Sequence, residues 1–313
     1  MEKTKYCIVG YGKHAQDKIL PALEKINSSI IGIVSKKINK SSNYIFYSSL
    51  KIAINKVPND TVFIICSPPS SHYEQVSQLG RKKFNVIVEK PIFINSKELI
   101  KVIHIFKKNN NILLESFMYK ETKLYREFIK IWRKNKKNIS KIDISFIIPS
   151  FPKNTFRQKK LDYPLIIYDI GCYLFNLLNE LKIGLESENT KIIECIRKKN
   201  IYKVRYIKDS IQINLKFGEG ENYKNYVSVK NNKGTCFKLS PFFYGRSGKK
   251  ELTIKKRDKK KYLNKIDDHN AFEKFYSKKI SQSINSQLKR NDIMQKNLTN
   301  LELMWKMFKF NFK

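Results

Sequence analysis

Acid is scarce in this chain. Its 313 residues carry 63 lysines and arginines against 27 aspartates and glutamates, a formal net charge of +36. Cysteine is sparse and odd in number: Cys7, Cys66, Cys172, Cys195 and Cys236 are scattered, with no C-x-x-C pair. This argues against a disulfide framework and against a zinc module. Cys7 and Cys66 lie inside apolar runs and read as buried thiols of a reducing compartment. The four histidines (His14, His72, His104, His269) lack metal-ligand spacing, so no metal is expected. No apolar run approaches the roughly 20 residues needed to cross a bilayer, and Met1–Ile19 has no signal-peptide core. The expectation is a cytoplasmic protein with no membrane partner.

What is present is enough to fold. At 41% hydrophobic and 12% aromatic residues the chain can bury a core, and its length suits two ordinary domains. The charge raises nucleic acid as a partner. The lysines are spread along the whole chain among isoleucines and asparagines, so they read as solvated faces and nucleic acid is the less favoured partner. A preference for anionic ligands such as phosphates still follows.

Apolar runs alternate with helical spacing through the first third. Tyr6–Val9, Ile30–Val34, Val62–Cys66, Val86–Val88 and Ile112–Leu114 read as buried strands. Ser71–Arg81 and Ser96–Lys108 read as helices, as does His14–Lys25, with Pro21 in an irregular or kinked turn. Continuous apolar strands alternating with helices predict a parallel sheet covered on both faces. From about Lys120 the pattern changes. A helix over Leu124–Lys134, a strand over Ile142–Ile148 and a helix near Ile170–Leu181 precede strands at Ile193–Ile196, Tyr202–Ile207, Ile211–Phe217, Tyr226–Val229 and Thr235–Leu239. Asn270 to about Phe308 is helical. The fold class is therefore an α/β Rossmann domain, residues 1–120, followed by an α+β domain with a mostly antiparallel open sheet, residues 121–313.

Gly10-Tyr11-Gly12-Lys13-His14-Ala15 is G-x-G-x-x-A between a strand and a helix. The first glycine permits the tight turn, the second lets a pyrophosphate reach the backbone, and the small third residue lets helix and strand pack closely. The phosphate charge then sits at a helix N-terminus. After the second strand an acid would bind the ribose 2′-hydroxyl; here Ser35-Lys36-Lys37 stands instead and suits a 2′-phosphate. NADP(H) is favoured over NAD(H).

With Glu89-Lys90-Pro91 the chain resembles the Gfo/Idh/MocA oxidoreductases. The matching segments are Gly10-Tyr11-Gly12 with Ala15, Ile65-Cys66-Ser67-Pro68-Pro69-Ser70-Ser71-His72, Val88-Glu89-Lys90-Pro91, Glu115–Lys120 and Tyr168-Asp169-Ile170-Gly171-Cys172-Tyr173. The resemblance covers roughly Lys5 to Leu178. It implies that Lys90 reaches the substrate oxygen and the nicotinamide ribose, that Pro91 follows a cis-prone bond, and that Asp169 and Tyr173 face the substrate. Cys66, Ser67, Pro68, His72 and Glu89 would line the cofactor. A tyrosine at position 173 places the chain with the glucose–fructose oxidoreductase and dihydrodiol dehydrogenase-like members. A nearby ammonium such as Lys90 would favour its phenolate. By position alone, Lys123 and Arg157 are candidate substrate contacts. The chain departs from the family in the glycine-free stretch Asp162–Tyr168, which would reshape the sugar pocket or block it.

These features predict an NADP-dependent oxidoreductase acting on the CH–OH group of a sugar or nucleotide-linked sugar. Two alternatives stand beside it: a cofactor-binding member with altered catalysis, and a nucleic-acid-binding protein on the same fold. In the family the open face of the second sheet pairs with another subunit. A homo-dimer or higher assembly is therefore expected, with the alternating strand Ile211-Gln212-Ile213-Asn214-Leu215 on an apolar sheet face.

Overall fold

The computed structural model describes residues 3–37, 43–149, 157, 164–186, 189–258, 260–277 and 287–310. The chain divides into two compact units, Met1–Phe117 with Phe272–Leu298, and Met118–Ala271 with Thr299–Lys313. The sequence reading placed the boundary at 120 and gave the whole C-terminal part to the second domain. The structure returns Phe272–Leu298 to the first unit. The physical tie is visible at Tyr6, whose hydroxyl donates to the Tyr276 carbonyl at 3.1 Å and whose ring meets that of Tyr276 edge-on.

The first unit is built on strands β1 (Lys5–Val9), β2 (Ser29–Val34), β3 (Phe46–Tyr47), β4 (Val62–Ile65), β5 (Asn85–Glu89) and β6 (Leu113–Ser116), ordered β3-β2-β1-β4-β5-β6. Every neighbouring pair is parallel. Parallel strands need crossovers, and helices α1 (Leu20–Lys25), α2 (Leu50–Lys56), α3 (His72–Arg81) and α4 (Ser96–Asn109) supply them. Covered strands are apolar throughout, and all four residues of β4 are buried. Pro21 lacks an N–H and its ring would strike the preceding turn. The chain answers with a widened π-type turn over Ala15–Ile19, after which Pro21 falls in the first turn of α1. Ser49 caps α2 and Asn95 caps α4, each accepting a backbone N–H.

The second unit opens with α5 (Lys123–Asn135), whose N-terminus is capped by Thr122. Strands β7 (Ile139–Ile148), β8 (Thr190–Lys198), β9 (Ile201–Lys208), β10 (Ile211–Glu219), β11 (Lys224–Asn231), β12 (Cys236–Ser240), β13 (Gly248–Lys255) and β14 (Lys261–Asp268) form one sheet, ordered β14-β13-β12-β11-β7-β10-β9-β8. Its pairings are antiparallel except β7 with β10. Helix α6 (Cys172–Glu180) lies on one face. There the Tyr173 ring meets Phe146 of β7, and a side chain on Gly171 would come within 3.2 Å of the Phe217 ring of β10. Two further helices close the chain, α7 (Ala271–Ser277) and α8 (Gln287–Phe310).

Strand alternation decides what each face shows. Ile211, Ile213, Leu215 and Phe217 of β10 are buried on the helix-covered side, and Gln212, Asn214 and Lys216 point away from it. The strand expected to offer an apolar dimer face thus turns its isoleucines inward, because α6 already covers them. Within the core, Lys250 and Asp268 form a fully buried ion pair at 3.0 Å. Asp268 also accepts the Lys123 and Leu124 N–H groups at the start of α5 (2.8 and 3.2 Å), so a single carboxylate joins helix to sheet. These donors and Lys250 outweigh burial and hold its pKa below the ordinary value.

Candidate functional site

In the first unit the residues of three sequence motifs meet at the C-terminal ends of β1, β4 and β5. Gly10 adopts φ +91°, and a Cβ there would lie 2.8 Å from the Ser67 backbone nitrogen. Only glycine lets the two turns come so close. A Cβ on Gly12 would enter open space, with nothing within 4 Å. That is the room a pyrophosphate needs above the helix start. Ala15 is fully buried, as close packing of helix on strand requires, while Lys13 is exposed. Tyr11 packs edge-on against Phe46.

His14 extends its Nε2 to within 3.3 Å of Glu89 Oε1 and so links the glycine turn to the end of β5. Burial pushes the Glu89 pKa up, but His14, Lys90 and His72 outweigh it, and the carboxyl sits below its ordinary value. Beside it, burial and Glu89 raise the Cys66 thiol well above the usual range, so Cys66 is an inert lining residue.

His72, at the start of α3, is surrounded by carbonyls. Its Nδ1 lies 2.9 Å from Ile92 O and 3.2 Å from Pro91 O, and its Nε2 lies 2.8 Å from Ser67 O. One ring therefore braces the turn Ser67-Pro68-Pro69 against the turn that carries Lys90. Burial lowers its pKa against the pull of the three carbonyls and Glu89. The Lys90–Pro91 bond is cis, and Glu115 accepts the Ile92 N–H at 3.0 Å. Lys90 itself is half-buried at the end of β5.

At the end of β2, the Ser35 side chain closes a local turn. It accepts the Lys37 N–H at 3.1 Å and donates to the Lys37 carbonyl at 2.9 Å. Lys36 and Lys37 are exposed there. Sequence reasoning missed Tyr276, which the chain return brings into this unit. Its buried hydroxyl lies beside the Ser116 hydroxyl of β6, and Glu89, Cys66 and Tyr6 are near it. The open space over Gly12 and the close approach of the Gly10 and Ser67 turns are what the pyrophosphate of a dinucleotide requires. The residues present fit the group.

The second unit holds the other candidates. Arg157 grips Asp169 with both arms of its guanidinium, Nε to Oδ2 at 2.6 Å and Nη2 to Oδ1 at 3.2 Å. Asp169 is buried in a π-type turn, Ile167–Gly171, that runs into α6 and carries Tyr173 four residues on. The Tyr173 ring is half-buried among Tyr119, Phe146 and Phe243. Lys123 stands apart from this group. It starts α5 and donates from Nζ to the Asp267 carbonyl at 2.8 Å. Of the glycine-free stretch, Asp162 and Tyr163 lie outside the described residues. Pro164–Tyr168 starts the helical turn that presents Asp169, with Ile167 N–H donating to Pro164 O. Among the described residues no cluster of His, Cys, Asp and Glu could hold a metal ion, and no helix is long and apolar enough to cross a membrane.

Residues 4–117 match the model of the Gfo/Idh/MocA oxidoreductase family, NAD-binding Rossmann fold. The trans-1,2-dihydrobenzene-1,2-diol dehydrogenase of Xenopus tropicalis is 24% identical over 199 residues, and that of Xenopus laevis 22% over 195. Each match spans 59% of this chain and 59% of the relative's own length. The crystal structure of a 3-ketoreductase from Actinomadura kijaniata with NADP and TDP-benzene superposes with a TM-score of 0.80 at 14% identity, covering 96% of both chains. The expected two-part fold, a parallel Rossmann sheet followed by a mostly antiparallel one, is the fold of that protein.

Proposed function

We propose that this chain is an NAD(P)-binding oxidoreductase of the Gfo/Idh/MocA family, the family whose model residues 4–117 match, that it uses NADP(H), and that it acts on a carbinol or ketone carbon of a sugar or nucleotide-linked sugar. The observation that carries this reading is the convergence on Glu89-Lys90-Pro91 of the glycine turn, through His14, and of the Ser67 turn, through His72. The preference for NADP(H) rests on Ser35-Lys36-Lys37, whose hydroxyl and two cations suit a 2′-phosphate and offer no acid to a free 2′-hydroxyl. NADP(H) supplies or accepts the hydride when bound.

The protein's own groups do the rest. Gly10 and Gly12 admit the pyrophosphate to the backbone. Lys90 holds the substrate oxygen and stabilises negative charge as it develops there. Tyr173 exchanges the hydroxyl proton as a general acid or base. Asp169, oriented by Arg157, accepts a hydrogen bond from a substrate hydroxyl. Anionic nucleotide-sugars suit the chain's positive charge. A catalytically altered cofactor-binding protein is the second reading, motivated by the bulky stretch before Asp169. Oxidation of NADPH, followed at 340 nm with a panel of ketosugars and nucleotide-ketosugars, separates the two: turnover with one of them supports the first reading, and tight NADPH binding without turnover supports the second.

A further inference from the structure

We propose that the first unit carries a second small-molecule site, for a single aromatic ring bearing an exocyclic amino group, of the cytosine kind. It lies at the sheet edge opposite the glycine turn, where α4 ends and β6 begins. A cavity of about 160 Å³ opens there, lined from one side by the start of α8. Two of its lining residues hold a buried side-chain oxygen that has no hydrogen-bond partner, Asn111 Oδ1 and Gln287 Oε1. Neither oxygen can turn away. The Asn111 amide nitrogen donates to the Phe84 carbonyl, and its backbone N–H to the Phe106 carbonyl at 3.2 Å. The Gln287 amide nitrogen donates to the Leu113 carbonyl at 3.2 Å and to Asn291 Oδ1 at 2.8 Å. The Phe84 and Leu113 carbonyls only accept, so each amide nitrogen is committed and each oxygen is left over. Asn111 is only 7% exposed, so bulk water does not meet that oxygen. A buried acceptor without a donor costs free energy that the N–H of a ligand returns.

The lining selects the ligand. Among the described residues it holds no acid, and divalent cations take carboxylates. One amino group on an aromatic ring carries two N–H donors, one for each unpaired oxygen. The Asn291 oxygen is taken by Gln287, so its amide nitrogen is the donor left to meet a ring nitrogen beside that amino group. An amino group next to a ring acceptor is the pairing edge of cytosine; uracil puts a carbonyl oxygen where cytosine has the amino group. Size points the same way. A cavity of about 150 Å³ holds benzene, whereas ligands of nucleotide size use about 300 Å³ or more. Phe106 and Ile112, both buried, give the ring apolar walls. Lys107 is exposed at the rim, so a ribose or phosphate carried by the ring passes outward beside a cation. Gly10, Ser67 and Lys90 stand at the other ends of the strands, so this site and the cofactor turn do not overlap.

The test is isothermal calorimetry of the full chain, saturated with NADPH so that the glycine turn is filled, with cytidine, uridine and adenosine. Cytidine should bind at one site per chain in the submillimolar range. Uridine should bind at least about tenfold more weakly, because its ring carbonyl faces two oxygens. Gln287→Met keeps the length of the side chain and removes its oxygen; cytidine affinity should fall by about tenfold or more, with NADPH affinity unchanged. Gln295→Met, about two turns further along α8, should change neither. If Gln287→Met unfolds by circular dichroism, Asn291→Ser replaces it, with a smaller loss in the same direction. Should the chain bind no NADPH, Gln287→Met still reports on this cavity alone, so the two readings fail separately. Equal affinity for uridine, no binding of cytidine, or unchanged affinity in Gln287→Met overturns the proposal. Tighter binding of adenosine overturns it in favour of a purine. A melting temperature higher in potassium chloride than in choline chloride at equal ionic strength, with the difference lost in Gln287→Met, overturns it in favour of a monovalent cation.

Discussion

The two sheets of this molecule solve the same burial problem differently. In the first, every strand pairing is parallel and the central strands are packed on both sides, so a strand such as β4 is apolar in an unbroken run. Whatever this unit does must happen where strands end, and Gly10, Ser35, Ser67 and Lys90 all stand at such ends. In the second, one face packs on α6 and the other does not, so residues alternate and the outward set is free to carry chemistry of its own. Strand-end chemistry suits a small molecule.

This contrast can be broken at defined points. The largest effect should come from Tyr173→Phe, which keeps the ring among Tyr119, Phe146 and Phe243 and removes only the hydroxyl. Turnover should fall by roughly 10²–10⁴, the usual contribution of a positioned acid or base, with NADPH affinity nearly unchanged. Steady-state kinetics beside a binding titration separate the two, and near-native turnover would reduce Tyr173 to a packing residue.

Next comes Asp268→Asn, which leaves the Lys250 ammonium buried without its counter-charge and weakens the cap of α5. Breaking such a pair costs about 3–5 kcal/mol, readable as a lower denaturant midpoint. The pH dependence follows from the depressed folded pKa of Asp268. Its contribution is complete above the unfolded aspartate value, about 3.9, and is lost as pH falls through the lower folded value. Acid titration should therefore destabilise the native protein more than Asp268→Asn over that window. Parallel acid sensitivities would remove Asp268 from the account.

Gly10→Ala tests the strand-end site. A Cβ at φ +91° and 2.8 Å from the Ser67 nitrogen should cost on the order of 1–3 kcal/mol and push the two turns apart. NADPH affinity should fall with stability, and a calorimetric titration that finds it unchanged would dissociate the turn from the cofactor. The smallest change is Ser35→Asp, which should reverse the order of NADPH and NADH affinity without altering the melting temperature by more than a degree or two.

Much of this was legible in the sequence, for physical reasons. The strands of the first sheet announce themselves because burial on both faces demands apolar runs. The glycine turn is visible because positive φ and close approach admit few residues. β14 was missed because six of its eight residues, Lys261–Lys265 and Asp267, are exposed and show no apolar alternation. β13, its neighbour, does alternate, but its first buried position is Lys250, which breaks the apolar pattern that would have marked the strand. The return of Phe272–Leu298 to the first unit leaves no local signal, since it is a long-range packing event, and Tyr276 was invisible as a consequence. The lysines are the sharpest case. Their spread along the chain reads as a uniform bias, and only strand register reveals that Lys203 and Lys216 stand side by side.

The most direct test of the central claim is isothermal calorimetry of the native protein with NADPH and with NADH. The account predicts one site per chain and tighter binding of NADPH, with both lost in Gly12→Val, whose side chain would fill the open space above the turn. Equal affinity for the two cofactors would contradict the role given to Ser35, Lys36 and Lys37. Binding of neither would contradict the reading of the whole strand-end site.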